Sequence, residues 1–187
     1  MIHHGKELAL LLERHPTIKE VDIVSAHLEV SDVAWICRRV VCNPTMEALT
    51  IGSCEWGIGA FNGVRYLLEG RHGGQYSSHL QKLTLMRMGE DECVMIGTPA
   101  VKELAHGIAA NKTITNLHLN FSIAEKDEVF FVDAFAQNSS ITRLEGHIAS
   151  LLELACPRKE IMRLEYFLNL NRFGRKLALD SDFPVEL

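Results

Sequence analysis

His118, Glu145 and His147 alternate with apolar residues in two short stretches, Asn116-Leu-His-Leu-Asn120 and Arg143-Leu-Glu-Gly-His-Ile148. Side by side as neighbouring strands, these stretches would set His118 opposite Glu145 with His147 diagonal to both. Two imidazoles and a carboxylate can hold a transition metal or respond to pH. Nine histidines scattered through the chain produce such neighbours by chance, and no further ligand accompanies them. A surface pair is therefore the simpler reading, and no metal or cofactor is expected. Ser53-Cys54-Glu55 lacks the G-x-S-x-G frame of a nucleophile elbow. The glycine-rich run from Gly52 to Gly63 lacks the lysine of a phosphate loop, and its glycines suit a tight strand-to-helix connection equally well. There is no His-Glu-x-x-His. The chain reads as a non-enzyme.

Cys37, Cys42, Cys54, Cys93 and Cys156 are odd in number and irregularly spaced, with no Cys-x-x-Cys pair, which fits reduced thiols of a cytoplasmic protein. With 47% hydrophobic and 23% charged residues the chain has the means to fold around a continuous core. A formal charge of -5 and a pI near 6.0 give no basic field of the kind nucleic-acid binding requires. The opening apolar run, Leu8 to Leu12, is short and flanked by Glu7, Glu13 and Arg14. It suits neither a signal peptide nor a membrane span.

The elements that would position these side chains emerge from a repeated phrase: Thr17-Ile18-x-x-Val21-x-Ile23, Thr45-Met46-x-x-Leu49-x-Ile51, His79-Leu80-x-x-Leu83-x-Leu85, Thr113-Ile114-x-x-Leu117-x-Leu119 and Ser140-Ile141-x-x-Leu144. The alternating pair predicts a short strand burying every second side chain, and the leading apolar residue predicts the turn that feeds it. Asn43, Asn111 and Asn138 stand three residues before that leading residue, and the expectation is that each ends a helix in a left-handed backbone conformation. Helical stripes precede them: Val33, Ile36 and Val40 match Val101, Leu104 and Ile108, and Phe61, Val64 and Leu68 repeat the spacing.

The strand anchors Val21, Leu49, Leu83, Leu117 and Leu144 are 28, 34, 34 and 27 residues apart. The ground period is therefore a strand-helix unit of about 28 residues. Two units carry an insertion, one around Gly89–Gly97 after the third strand and one at Arg71–Ser78 after a helix. The two should emerge on opposite rims.

With these phrases in register, Val101-Lys-Glu-Leu-Ala-His-Gly-Ile-Ala-Ala-Asn-Lys-Thr-Ile-Thr-Asn-Leu-His-Leu119 resembles the repeat of ribonuclease-inhibitor-type leucine-rich-repeat proteins. The Asn or Cys often set three residues after the strand pair in that family is matched by Cys54 and replaced by Ala26, Met88 and Ser122. The resemblance implies an α/β fold: a short right-handed solenoid, or horseshoe, of about five strand-helix leucine-rich repeats, with a parallel sheet on the concave side and helical caps. Residues 1–16 are expected as an N-terminal cap helix, 17–148 as the repeats and 149–187 as a C-terminal cap and tail, all in one domain. Tyr166-Phe-Leu-Asn-Leu-Asn-Arg-Phe-Gly-Arg175 is similar to a tail of uncharacterised leucine-rich-repeat proteins of microalgae. Arg158, Lys159, Arg163, Arg172, Arg175 and Lys176 form either an anion-binding patch or, more cheaply, solvated cap charges.

The resemblance implies a binding module whose outward strand positions form columns. One runs Glu20, Ala48, Lys82, Asn116, Arg143; the next Asp22, Thr50, Thr84, His118, Glu145; the third Val24, Gly52, Met86, Asn120, His147. Acidic at its first strand and basic or mixed towards its last, this wall favours a protein partner of mixed charge. Rim loops are the other candidate surface, through Tyr76 and Glu90-Asp91-Glu92. Trp56 either anchors a partner there or packs on the neighbouring loop. Two further resemblances are of layout. About five repeats, a weak last strand and a closing helix look like the tropomodulin repeat domain, which caps actin filaments. The repeat proteins that activate the Ran GTPase are similar too, but their long acidic tail has no counterpart here.

Overall fold

The computed structural model describes residues 4–24, 28–52, 56–72, 75–76, 78–86, 95–146 and 158–173. Helices and strands alternate along it: α1 (His4–Arg14), β1 (Glu20–Ile23), α2 (Val30–Val40), β2 (Ala48–Ile51), α3 (Ile58–Glu69), β3 (Arg71–His72), β4 (Gln75–Tyr76), β5 (Lys82–Met86), α4 (Thr98–Ala110), β6 (Asn116–Asn120), α5 (Glu128–Gln137), β7 (Arg143–Glu145) and α6 (Arg158–Phe173). The strands β1, β2, β5, β6 and β7 form one sheet in that order, every pair parallel. Each helix packs on the next, from α1 to α6. This is an α/β repeat solenoid, an open parallel sheet backed by a single layer of helices. The insertion at Arg71–Ser78 contributes the antiparallel hairpin β3–β4. The insertion after β5 falls largely outside the described residues; it rejoins the repeat at Met95, which bridges in parallel to Ser122.

Hydrophobic periodicity explains the layers. Val33, Ile36, Val40, Phe61, Val64, Leu68, Val101, Leu104 and Ile108 are at most 1% exposed. They face Leu49, Ile51, Leu83, Leu85, Leu117 and Leu119 of the sheet, which are equally buried. Each such side chain contributes about 1.5–3 kcal/mol on removal from water. Close helix spacing depends on glycine at one point in particular. A Cβ at Gly63 of α3 would approach Ala34 Cα of α2 to 2.6 Å, which no side chain tolerates. At the start of α2, the Asp32 carboxylate reaches back to accept the Glu29 N–H at 3.2 Å, one of the orphan donors of a helix start.

Two of the three asparagines do not end their helices as expected. Asn111 and Asn138 have extended angles (φ -63, ψ 137 and φ -78, ψ 138), and the left-handed helix end belongs to Gly70, with φ 64. Their role lies in the side chain. The Asn138 Oδ1 accepts the N–H groups of Ser140 and Ile141 at 3.0 and 2.8 Å, while its Nδ2 donates to the Ile108 and Asn111 carbonyls of the preceding unit at 2.8 and 3.2 Å. Asn43 holds Thr45 and Met46 at 2.7 and 3.0 Å and donates back to Leu12 and His15. Asn111 clamps Thr113 and Ile114. All three are fully buried. A side chain with both donors and an acceptor can lock the turn into its strand and tie it to the unit before, and residue type alone does not separate that role from a backbone one.

Candidate functional site

The sheet register places the outward side chains in the columns expected from the repeat. Glu20, Ala48, Lys82, Asn116 and Arg143 are aligned across the five strands, as are Asp22, Thr50, Thr84, His118 and Glu145. Met86 pairs with Asn120. Alternation turns these residues away from the helices. Glu20, Asp22, Lys82 and Arg143 are exposed, while Thr50, Met86, Asn116, His118, Asn120 and Glu145 are half-buried. Thr84 is buried, at 5% exposure, and offers a partner little surface. His147, Glu90, Asp91 and Glu92 lie outside the described residues; Tyr76 is placed in β4, but its side chain is not among those described.

Charge is distributed unevenly over this face. Glu145 is shared between Arg143, whose Nη2 lies 2.5 Å from Oε1, and His118, whose Nδ1 lies 3.7 Å from Oε2. Exposed pairs of this kind are worth about 0–1 kcal/mol, so Arg143 remains available to a competing anion. Gly146 closes the last strand with φ 96; a Cβ there would run into the Leu119 carbonyl oxygen and approach His118 Cδ2 to 3.1 Å. Gly146 thus sits hard against the Leu119 carbonyl and the His118 ring. Among the described residues no group of three or more His, Cys, Asp or Glu could hold a metal ion.

Trp56 packs on the neighbouring units. Its ring stands 5.4 Å from Phe61 and 4.9 Å from Phe121, centroid to centroid, and its Nε1–H donates to the Met86 carbonyl at 3.3 Å. Met86 in turn covers Gly52, where a Cβ would meet Met86 Cγ at 3.0 Å. The indole therefore fixes the rim beside β5 and spends its only donor doing so. Among the basic residues of α6, Arg172 Nε donates to the Thr142 carbonyl at 2.7 Å, and Arg163 lies 4.0 Å from Asp133.

Two contributions escaped the sequence reading. His15 stands three residues before Ile18, the asparagine position of the first unit, and its Nδ1 accepts the Thr17 and Ile18 N–H groups at 3.5 and 3.3 Å. Aligning His15 with Asn43 would have found it. Asn171 of α6 donates to the Ile141 carbonyl at 2.8 Å and to Asn138 Oδ1 at 3.4 Å, extending the asparagine row beyond the last phrase; no repeat pattern surrounds it.

The helical side offers less. A groove of about 270 Å³ between α4 and α5 has a floor of Ala105, Ala109 and Ala134 and is flanked by Lys102, His106, Phe130, Asp133 and Gln137. That is slightly below the roughly 300–1,000 Å³ of ordinary small-molecule sites. Burial pushes the Cys42 thiol up from its usual range, reinforced by Glu13 and opposed by Arg39, which leaves it a poor nucleophile. No helix among the described residues is long and apolar enough to cross a membrane.

No protein-family model matches this chain, and no curated protein matches it in sequence. Its fold does match solved structures. The C-terminal domain of tropomodulin from Caenorhabditis elegans superposes with a TM-score of 0.65 at 14% identity, over 95% of this chain and 99% of that one. Actin-binding site 2 of leiomodin-1 superposes with a TM-score of 0.63, also at 14% identity, over 93% of this chain and 95% of that one. At such identity the likeness is one of fold.

Proposed function

We propose that this chain is a non-catalytic interaction module of the cytoplasm, a leucine-rich repeat of the ribonuclease-inhibitor-like subtype whose concave sheet face takes a protein partner. The observation that carries this reading is the alignment of polar columns across five parallel strands, with Lys82, Asn116 and Arg143 side by side. The subtype rests on the α-helix in each repeat, 10 to 13 residues long from α2 to α5. On this reading residues 1–16 and 149–187 serve as caps to the repeats at 17–148, and the rim positions Trp56, Tyr76, Glu90, Asp91 and Glu92 form the second candidate surface.

The test is affinity capture from a lysate of the source organism by the wild type beside a Lys82→Glu, Asn116→Glu, Arg143→Glu triple variant, at low and high salt, with mass spectrometry of what is retained. A protein held by the wild type and lost by a folded triple variant is the expected result. Equal retention by both overturns the concave-face assignment.

A second reading, an actin-filament protein, is favoured by the two similar structures, one of which is described as an actin-binding site. It predicts slowed subunit addition at pointed ends in a filament-elongation assay; unchanged growth removes it.

A further inference from the structure

Each unit of the sheet hands its opening backbone amides to the unit before it. The Lys19 carbonyl accepts the N–H groups of Glu47 and Ala48 at 2.7 and 2.9 Å, and the carbonyls of Glu47, Gln81 and Thr115 accept the corresponding pairs from the strands that follow. Glu20 aligns with Ala48, and Asp22 with Thr50. By that register the N–H groups of Lys19, Glu20 and Asp22 point away from β2, to where a preceding strand would stand. Among the described residues nothing bonds to them.

The opposite end is closed by side chains. Thr142 holds the place of Lys19, Glu47, Gln81 and Thr115, and its carbonyl accepts Arg172 Nε at 2.7 Å, with Asn171 Nδ2 on the Ile141 carbonyl at 2.8 Å. Helix α6 thus supplies what a further strand would.

The first unit is also less covered on its apolar side. Ile18 and Val21 are half-buried, whereas Met46 and Leu49, one unit on, are fully buried. Leu11, on the side of α1 turned away from α2 by the 100° step of the helix, is 55% exposed. On the open face Glu20 and Asp22 are exposed and align with Ala48 and Thr50. Neither carboxylate has a cationic partner among the described residues, and Lys19 is committed to Glu47 at 2.6 Å.

We propose that this end of the solenoid is a docking edge: an extended segment of a partner protein adds to β1 as a sixth strand, with Lys or Arg at alternate positions facing Glu20 and Asp22 and apolar residues between them covering Val21 and Ile18. Main-chain pairing supplies the affinity and the alternate side chains supply the selection. Charge decides the occupant. Residues opposite one another on paired strands have their Cβ atoms about 4.5–5.5 Å apart, so Lys or Arg on the added strand can pair with Glu20 and Asp22, whereas a second copy pairing β1 against β1 brings four carboxylates onto one face. The surface lies at the far end of the sheet from Arg143, so the triple variant described above leaves it unchanged.

The test uses the whole chain and a labelled, end-blocked eight-residue peptide of alternating Lys and Val, followed by fluorescence anisotropy and by amide exchange at Glu20 and Asp22. Binding slows exchange at both amides, and a Glu/Val peptide binds at least about tenfold more weakly. Because the lysines fix which residues face the carboxylates, N-methylation of alternate residues abolishes binding in one frame and spares it in the other. Asp22→Pro removes an outward N–H at an edge position where proline is tolerated, and weakens binding at least about tenfold. If that variant does not fold, the pair of N-methylated peptides decides alone. Equal effects in both frames, or amides at Glu20 and Asp22 already protected in the free protein, overturn the proposal.

Discussion

Two regions of this molecule use asparagine in opposite ways. On the rim where helices feed into strands, Asn43, Asn111 and Asn138 are fully buried, and each carries at least four hydrogen bonds. On the sheet face Asn116 and Asn120 are half-exposed, and their amide side chains make no hydrogen bond among the described residues. The difference is one of solvent. A buried amide must be satisfied by protein, so its partners are fixed and it builds structure. A wet amide is satisfied by water, which a partner can displace, so it stays available for recognition.

The largest expected effect breaks this contrast directly. Asn138→Ala strands the Ser140 and Ile141 amides in a buried turn and takes one donor each from the Ile108 and Asn111 carbonyls, which keep the Asn111 N–H and the Ser140 hydroxyl. Unfolding in urea should register a loss of about 3 kcal/mol. Asn116→Ala should stay within about 0.5 kcal/mol of the wild type, as surface substitutions do. Similar losses at the two positions would show that the face is as structural as the rim.

Most of the sheet was legible in the sequence because two independent signals agreed. Apolar alternation set the strands, and the intervals between Val21, Leu49, Leu83, Leu117 and Leu144 set their order, so the columns followed without knowledge of the packing. The rim was legible in position and misread in mechanism: a helix-ending asparagine predicts a left-handed backbone, and only the geometry reveals an extended backbone with a clamping side chain. Of the candidate surface, the columns could be written down, but the burial of Thr84 and the commitment of Trp56 to Met86 and Phe121 depend on contacts between units about 30 residues or more apart. Such contacts leave no local pattern. The closing role of Asn171 and Arg172 is hidden for the same reason, since their acceptors lie 30 residues upstream.

A second prediction sharpens the contrast at the border of the two regions. Gly146 belongs to neither asparagine group, yet it takes a positive φ at the end of the last strand, close against Leu119 and His118. Gly146→Ala should cost about 1–3 kcal/mol from the left-handed backbone and from the clash with Leu119. A change of thermal midpoint too small to resolve would mean that the last strand frays without consequence for the rest.

Removing the capping donor of α6 should matter less. Arg172→Met keeps the aliphatic stem and leaves the Thr142 carbonyl to water, a loss of about 0.5–1.5 kcal/mol by denaturant titration. The substitution extends the comparison to an exposed side chain that nevertheless builds structure. If it is silent, the end is closed by the apolar packing of α6, and burial is sufficient to separate structural from available polar groups.

The smallest effect is a gain. His15 occupies the asparagine position of the first unit but reaches its two amides at only 3.5 and 3.3 Å, against 2.7 and 3.0 Å for Asn43. The amide oxygen stands at the same δ position as the imidazole nitrogen but offers two lone pairs to the two N–H groups where Nδ1 offers one, so His15→Asn should tighten the turn and stabilise the protein by about 0.5 kcal/mol. His15→Ala, with both amides open to partial solvent, should destabilise it by about 1 kcal/mol. The order Asn above His above Ala in unfolding midpoint is the expected reading. With His above Asn, the imidazole would be holding the first turn by packing rather than by its acceptor, and the first unit would follow a different rule from the others.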